Sequence, residues 1–490
     1  MRSILSALAL TAPLLLAAAC STNPATGEQS FTAFMSENDE LRVGAEEHPK
    51  ILKDMGGTFK HPTIQTYVDW VGEKLAKVSD LPDLKFKFTV LDDPNINAFA
   101  LPGGYVYITR GLIALAENEA EMAGVLAHEI GHVTARHTAQ RYSAAMATNL
   151  GLLGASILGS VFGVPGDLNR LAGQVGQLYL QSYSREQELE ADMLAVRYMS
   201  KAGYDSRTLE TFFRKMAQHT SITQRVRGRP DEDPAGNIMS THPRTSDRIA
   251  QAITLARVPP NADPRIGRED YLARIDGMLW GDSPDEGVVH GRVFEHPELR
   301  FRFEVPPGFY LINSPSQVSA HGPDRTVILF NQLMQKEAAQ VRDMQSYVSS
   351  WGGGRLRGVE RIDVNGLEAA TGSARTDTSE GVRDVRLVAI RFAKDRIYRF
   401  LFLTPPEATP RRSEDLRRVT YSFRALTDDE AKAVKTLKLR VMTVNPGDTP
   451  DSLAGIMPLE SYKLDWFLAL NGLAPGDKLT PGTKVKVVAP

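Results

Sequence analysis

The sequence predicts an α+β multidomain chain, with a mainly helical N-terminal domain, a small α+β middle domain and a β-α-α-β unit at the C-terminal end. Three observations carry this reading. A length of 490 residues suits two or three domains. Apolar residues recur with helical spacing through much of residues 36–257 and alternate like strands over 288–426. Residues 438–490 then run through a strand, a Pro-Gly-Asp turn, two short helical stretches and a closing strand. Hydrophobic content of 42% and charged content of 24% are ordinary for globular protein. A net charge of −2 without a long basic run does not suggest nucleic-acid binding.

The chain begins MRSILSALALTAPLLLAAAC, with one early charge, Arg2, before an apolar run from Ile4 to Ala19. The run is short and terminal, as in a secretory signal rather than a permanent membrane span. It ends at Cys20, the only cysteine in the sequence. A lone cysteine after small residues resembles a bacterial lipoprotein cleavage site, so Cys20 is the expected lipidation position and residues 1–20 the signal peptide. Leu is usual three places before such a cysteine; Ala17 stands there, with Leu16 one place further back. Ser21 follows rather than Asp, which by the same resemblance implies the outer membrane. A mature chain without cysteine suits an oxidising periplasm without disulfides. Residues 21–34 are polar and turn-rich and read as a tether.

Residues 36–78 have a helical pattern, and 86–91 alternate like a strand. In NINAFALPGGYVYITRGL two apolar runs flank Pro102-Gly103-Gly104, which predicts a hairpin. A helix follows, with Asn118 as its cap and Glu121 as the reciprocal partner. It carries AGVLAHEIGHVTARH, residues 123–137. His128 and His132 are one turn apart on one helical face, so both imidazoles reach a single ion. Glu129 is rotated about 100° from His128, beside the ion rather than on it, where a base for water belongs. His128 and His132 are therefore expected metal ligands, and zinc is the expected ion.

A hydrolytic zinc site needs a third protein ligand. His137 is about 140° round the helix from His132 and fails as that ligand. The stretch SREQELEAD offers Glu186, Glu188 and Glu190. Glu188 has Asp192 one turn on, a pairing in which the glutamate binds metal and the aspartate takes the spare N–H of a ligand histidine.

Residues 144–164 are nearly continuously apolar and rich in glycine, and read as a buried or membrane-touching hairpin beside the site. Two helices joined at Gly203 follow, then a loop over 221–241. The helical domain closes near Arg257, and Pro259, Pro260 and Pro264 mark a linker over 258–287. The middle domain, 288–426, shows helical patterns near 338–351 and 411–423; its texture resembles the PsbP-like fold. No cluster of ligands or nucleophiles is visible in it, and an interaction or spacer role is expected.

The segments NAFALPGGYVYITRGL, AGVLAHEIGHVTARH, SREQELEAD and THPRTSDRI occur in an order and spacing that resembles the HtpX and CAAX-prenyl-protease family of zinc metallopeptidases. The lipoprotein-like start and the NPATG segment are similar to its periplasmic BepA-like branch, although no tetratricopeptide repeats follow. The resemblance covers residues 24–257 and implies a zincin-like (gluzincin) catalytic domain at 21–257. It implies His128, His132 and Glu188 as ligands of one Zn2+, Glu129 as general base and Asp192 behind a ligand. His242 of the His-Pro motif would contact zinc, cap the resting site or stabilise the oxyanion, with Arg248 assisting. The strand NAFALPGG matches the family's substrate-binding edge. In the last unit, NPGDTPDSLA, LNGL and LTPGTKVKV resemble a LysM domain over 438–490, which implies peptidoglycan binding. The stretch between Ala454 and Leu468 is longer than usual and holds Pro458, a departure that touches the glycan groove.

The expected function is a zinc endopeptidase of the periplasm, held to the outer membrane by lipid and to peptidoglycan by the LysM-like unit. Unfolded or misassembled envelope proteins are the implied substrates. Two rivals remain open from sequence: a peptidoglycan hydrolase, and a wall-tethered assembly factor or chaperone whose capped protease site is rarely active.

Overall fold

A computed structural model describes residues 20–147, 182–228, 250–252, 254, 263–379 and 381–490. The chain divides into two units. One takes residues up to 53 with 57–280 and 438–489; the other takes 54–56, 281–437 and 490.

The first unit opens with a hairpin of β1 (Cys20–Thr22) and β2 (Gln29–Phe31) where the sequence reads as a tether. Asn23 makes the difference. Its Oδ1 accepts the Ala25 N–H at 2.9 Å and its carbonyl accepts the Gly27 N–H at 2.8 Å, so the NPATG stretch closes a turn. Helices α1 (Glu37–Asp54) and α2 (Pro62–Ala76) follow. Pro62 opens α2, where its missing N–H leaves no bond unmade.

Strands β3 (Lys87–Leu91), β4 (Ala98–Leu101) and β5 (Tyr105–Thr109) form a sheet ordered β3-β5-β4. β4 runs antiparallel to β5 across the expected Pro-Gly-Gly turn, in which Gly103 and Gly104 have φ of 78° and 88°. The chain then enters α3 (Arg110–Leu115), α4 (Glu119–Thr134), α5 (Arg185–Lys201) and α6 (Thr208–Val226). Residues 137–147 are also helical. Two glycines of α4 set how close its neighbours come. A Cβ on Gly124 would lie 2.6 Å from Leu209 of α6, and one on Gly131 would lie 3.1 Å from the Ala191 carbonyl of α5.

Much of the stretch read as a linker belongs to this unit. Arg265 reaches Glu119 at 2.7 Å, α7 (Arg268–Ile275) buries Tyr271 and Leu272, and β6 (Leu279–Trp280) joins a sheet described below. The proline cluster suggests a break in packing, but Glu119 is buried and draws the chain back as an ion-pair partner.

The second unit is built of antiparallel sheets. β7 (Val288–His290), β8 (Val293–His296) and β9 (Phe301–Glu304) share a four-stranded sheet with β17 (Arg424–Ala425), in the order β17-β9-β8-β7. β10 (Tyr310–Ser314), β11 (Gln317–Gly322), β12 (Thr326–Gln332), β13 (Arg357–Val364), β14 (Leu367–Thr378), β15 (Gly381–Ala393) and β16 (Arg396–Thr404) form a seven-stranded sheet ordered β10-β11-β12-β16-β15-β14-β13. Helices α8 (Met344–Trp351) and α9 (Thr409–Ser422) fall within or close to the stretches where the sequence shows helical spacing. Its aromatic core includes Phe301, Phe303, Phe330, Tyr398 and Phe400, with Phe301 and Tyr398 centroids 4.4 Å apart.

The C-terminal stretch returns to the first unit. β18 (Leu437–Thr443), α10 (Pro450–Gly455), α11 (Lys463–Leu470) and β19 (Lys484–Ala489) give the expected β-α-α-β order, and β18 joins β19 to β6. Among the described residues no helix is long and apolar enough to cross a membrane. Residues 1–19 and most of the apolar run 144–164 lie outside the described residues.

Candidate metal centre

Asn118 caps α4 by accepting the Glu121 N–H at 2.9 Å, as the spacing predicts. Glu121 does not return to Asn118. Its carboxylate accepts the Glu117 N–H at 2.7 Å and is drawn towards α6 by Thr211, at 2.7 Å, and by Lys215.

His128 and Glu129 on α4 are 0% exposed, and His132 and Glu188 are 1% exposed, so four ionisable groups are withdrawn from water around one point. The Nε2 atoms of His128 and His132 are 2.9 Å apart. Glu188 places Oε2 3.7 Å from the first and Oε1 3.4 Å from the second. One donor atom from each of the three side chains lies within 4.8 Å of the others, the only such group of metal-ligating side chains among the described residues. Two imidazoles and a carboxylate are a zinc donor set, and burial at this density is otherwise costly.

Asp192, one turn on from Glu188, stands beside His128. Its Oδ1 is 2.9 Å from His128 Nδ1. With that nitrogen protonated and donating, Nε2 carries the lone pair towards the centre. The other acidic side chains of α5 do different work. Glu186 is exposed in the first turn, and Glu190 turns to His137.

His137 has a role that spacing alone did not reveal. It is not in the ligand group, but its Nδ1 is 2.8 Å from His132 Nδ1 and its Nε2 is 3.2 Å from Glu190 Oε2. Tyr183 was also missed. Its ring stacks on His132 at 3.8 Å with 19° between planes, the Arg141 guanidinium lies 3.8 Å from the Tyr183 ring centroid, and burial pushes the phenol pKa up. For Glu190, burial pushes the carboxyl pKa up, but hydrogen bonds from His137, Asn23 and Thr26 prevail and the net shift is downward. His242 and Arg248 lie outside the described residues.

A buried glutamate beside two imidazoles and a carboxylate is the constellation of a metal-dependent hydrolase. The segment that carries it, residues 62–256, matches Peptidase family M48. A Vibrio cholerae protein of the beta-barrel assembly-enhancing protease type is 30% identical over 254 residues, 49% of this chain and 50% of that one. The beta-barrel assembly-enhancing protease of Escherichia coli is 28% identical over 246 residues, 49% of this chain and 48% of that one. The mitochondrial metalloendopeptidase OMA1 of Schizosaccharomyces pombe is 31% identical over 215 residues, 43% of this chain and 59% of that one. The chain thus spans about half the length of the curated relatives it matches. Among solved structures, cyanobacterial PsbP from Synechocystis is 15% identical, covering 30% of this chain and 98% of that one at a TM-score of 0.21.

Proposed function

We propose that the chain is a zinc-dependent endopeptidase of the bacterial periplasm, acting on unfolded or misassembled envelope proteins. The convergence of His128, His132 and Glu188 beside buried Glu129 is the observation that carries this reading. Those three side chains would hold the ion. When bound, zinc supplies Lewis-acid polarisation of the scissile carbonyl and of the attacking water. Glu129 takes a proton from that water and passes one to the leaving amine. Asp192 holds the His128 tautomer. β4 stands at the edge of its sheet, and an extended substrate adds to that edge as a further strand. The family resemblance assigns His242, assisted by Arg248, to the oxyanion or to a cap over the resting site.

The relatives' names concern beta-barrel assembly, which supports a substrate among outer-membrane proteins. Lipidation at Cys20, attachment to the outer membrane and peptidoglycan contact through the LysM-like unit complete the proposal and rest on the sequence motifs. The test is direct. The chain from Ser21 onward and its Glu188→Ala variant are assayed for bound metal by mass spectrometry and for casein cleavage. About one zinc per wild-type chain, sharply reduced in the variant, with cleavage following the metal, supports the reading. A folded wild-type chain that takes up no zinc refutes it.

A further inference from the structure

We propose that Asn23, in the turn of the N-terminal hairpin, is a positioning residue for His132, acting through Glu190 and His137. The inference rests on the metal-centre reading and extends it to a segment that sequence alone assigns to a tether.

The chain of contacts has one consistent direction. If His132 presents Nε2 to the ion, its Nδ1 carries the proton and donates to His137 Nδ1, 2.8 Å away. His137 must then hold its own proton on Nε2, which faces Glu190 Oε2 at 3.2 Å. The second oxygen of that carboxylate accepts the Asn23 side-chain N–H at 2.7 Å. Glu190 is thereby held at both oxygens, by the histidine on one side and by the hairpin, through Asn23 with Thr26 adding to it, on the other. Its side chain is 25% exposed, so without Asn23 it keeps only the Thr26 contact to the hairpin and has solvent to turn towards. His137 would lose its acceptor, and His132 would lose the partner that fixes its tautomer and ring plane.

The hairpin is itself held firmly enough to serve as a support. Arg136 follows α4 with φ of 57° and donates to Ser21 Oγ at 3.1 Å, the Met35 carbonyl at 3.0 Å and Glu40 at 3.1 Å. Arg197 of α5 donates to the Ala25 carbonyl at 3.3 Å. Arg197 of α5 and Arg136, just past the end of α4, therefore each hold the hairpin whose Asn23 closes the chain of contacts, at Ala25 and at Ser21.

Asn23 does two separable things. Its Oδ1 accepts the Ala25 N–H and makes the turn, while its Nδ2 donates to Glu190. Asn23→Asp keeps the first and removes the second. The zinc dissociation constant is measured by chelator competition on the full chain from Ser21, together with the visible spectrum of the Co2+-loaded protein. Glu190→Ala is expected to weaken zinc binding about 10–100-fold and Asn23→Asp roughly tenfold, both altering the cobalt spectrum. Glu190→Gln, which keeps an acceptor for His137, is expected to recover most of the affinity lost in Glu190→Ala. Gln29→Ala removes a hairpin contact to Thr22 and is expected to leave affinity unchanged. Wild-type affinity in either Asn23→Asp or Glu190→Ala overturns the inference while leaving the three-ligand centre standing. No zinc in the wild type overturns both.

Discussion

Lys486 Nζ lies 2.8 Å from the carbonyl oxygen of Ala114, a residue 372 positions earlier in the chain. The same ammonium donates to Leu115 at 3.0 Å and Ala116 at 2.8 Å, and Lys486 is 0% exposed. These carbonyls end α3, just before Asn118 caps the helix that carries His128 and His132. Lys215 of α6 adds a bond to Leu115 at 3.1 Å. Burial, and then the neighbouring Lys215 charge, push the Lys486 pKa well below its ordinary range. The C-terminal strand is thus a structural part of the first unit. Lys486→Met is expected to destabilise that unit by roughly 2–4 kcal/mol, because three carbonyls lose a buried donor. Urea unfolding of the full chain measures this, and an unchanged midpoint refutes it.

Glu129 sits beside the ligands without belonging to their group. Glu129→Gln is expected to bind zinc as the wild type does and to cleave casein about 100- to 10,000-fold more slowly. Stripping the wild type with a chelator abolishes cleavage, and added zinc restores it. Loss of the metal in Glu129→Gln would instead assign the glutamate to coordination.

Asp192 Oδ1 stands 2.9 Å from His128 Nδ1, on the side of the ring away from the other ligands. Asp192→Ala is expected to weaken zinc binding about 10–100-fold without unfolding the chain. Chelator competition gives the affinity and circular dichroism the fold. Equal affinity in variant and wild type removes Asp192 from the centre.

His296 makes a pH-dependent contribution to the second unit. It is 7% exposed, its Nδ1 accepts the Leu299 N–H at 3.2 Å, and burial, helped by Arg396, pushes its pKa down to about 4. The unfolded chain titrates this group near ~6.5, so between those values the unfolded state binds a proton that the folded state refuses. Stability is full above the higher value and falls as pH drops towards the lower one, by roughly 3 kcal/mol in all. Urea midpoints at acid and neutral pH are expected to differ less in His296→Gln than in the wild type. Parallel pH dependence in both chains would refute the assignment.

The metal centre was legible because each of its parts obeys a local rule. His128 and His132 share a face by helical geometry, and Glu188 and Asp192 repeat that geometry on one later helix. The two halves are joined by packing, and Gly124 and Gly131 show how closely α4 approaches its neighbours. What sequence did not show depends on contacts far apart in the chain. The helical angle of His137 argues against a ligand role, yet nothing local says that its other neighbour is Glu190. Asn23 reads as a turn residue, and its bond to Glu190 spans 167 positions. The linker reading failed at Arg265 for the same reason, since its partner Glu119 lies 146 positions away. Lys486 falls in the closing strand, and nothing local shows that three carbonyls 370 to 372 positions away bury it.

The link from Lys486 to Ala114 also bears on biosynthesis. At about 5–20 residues per second, a ribosome completes the helices bearing His128 and Glu188 well before it reaches the strand that secures their entry. The nascent chain therefore carries its ligand residues for some time before the support for α4 is made. A domain built this way completes its framework only once residue 486 has been made, so the segment that holds the ligand residues waits on one far downstream for its support.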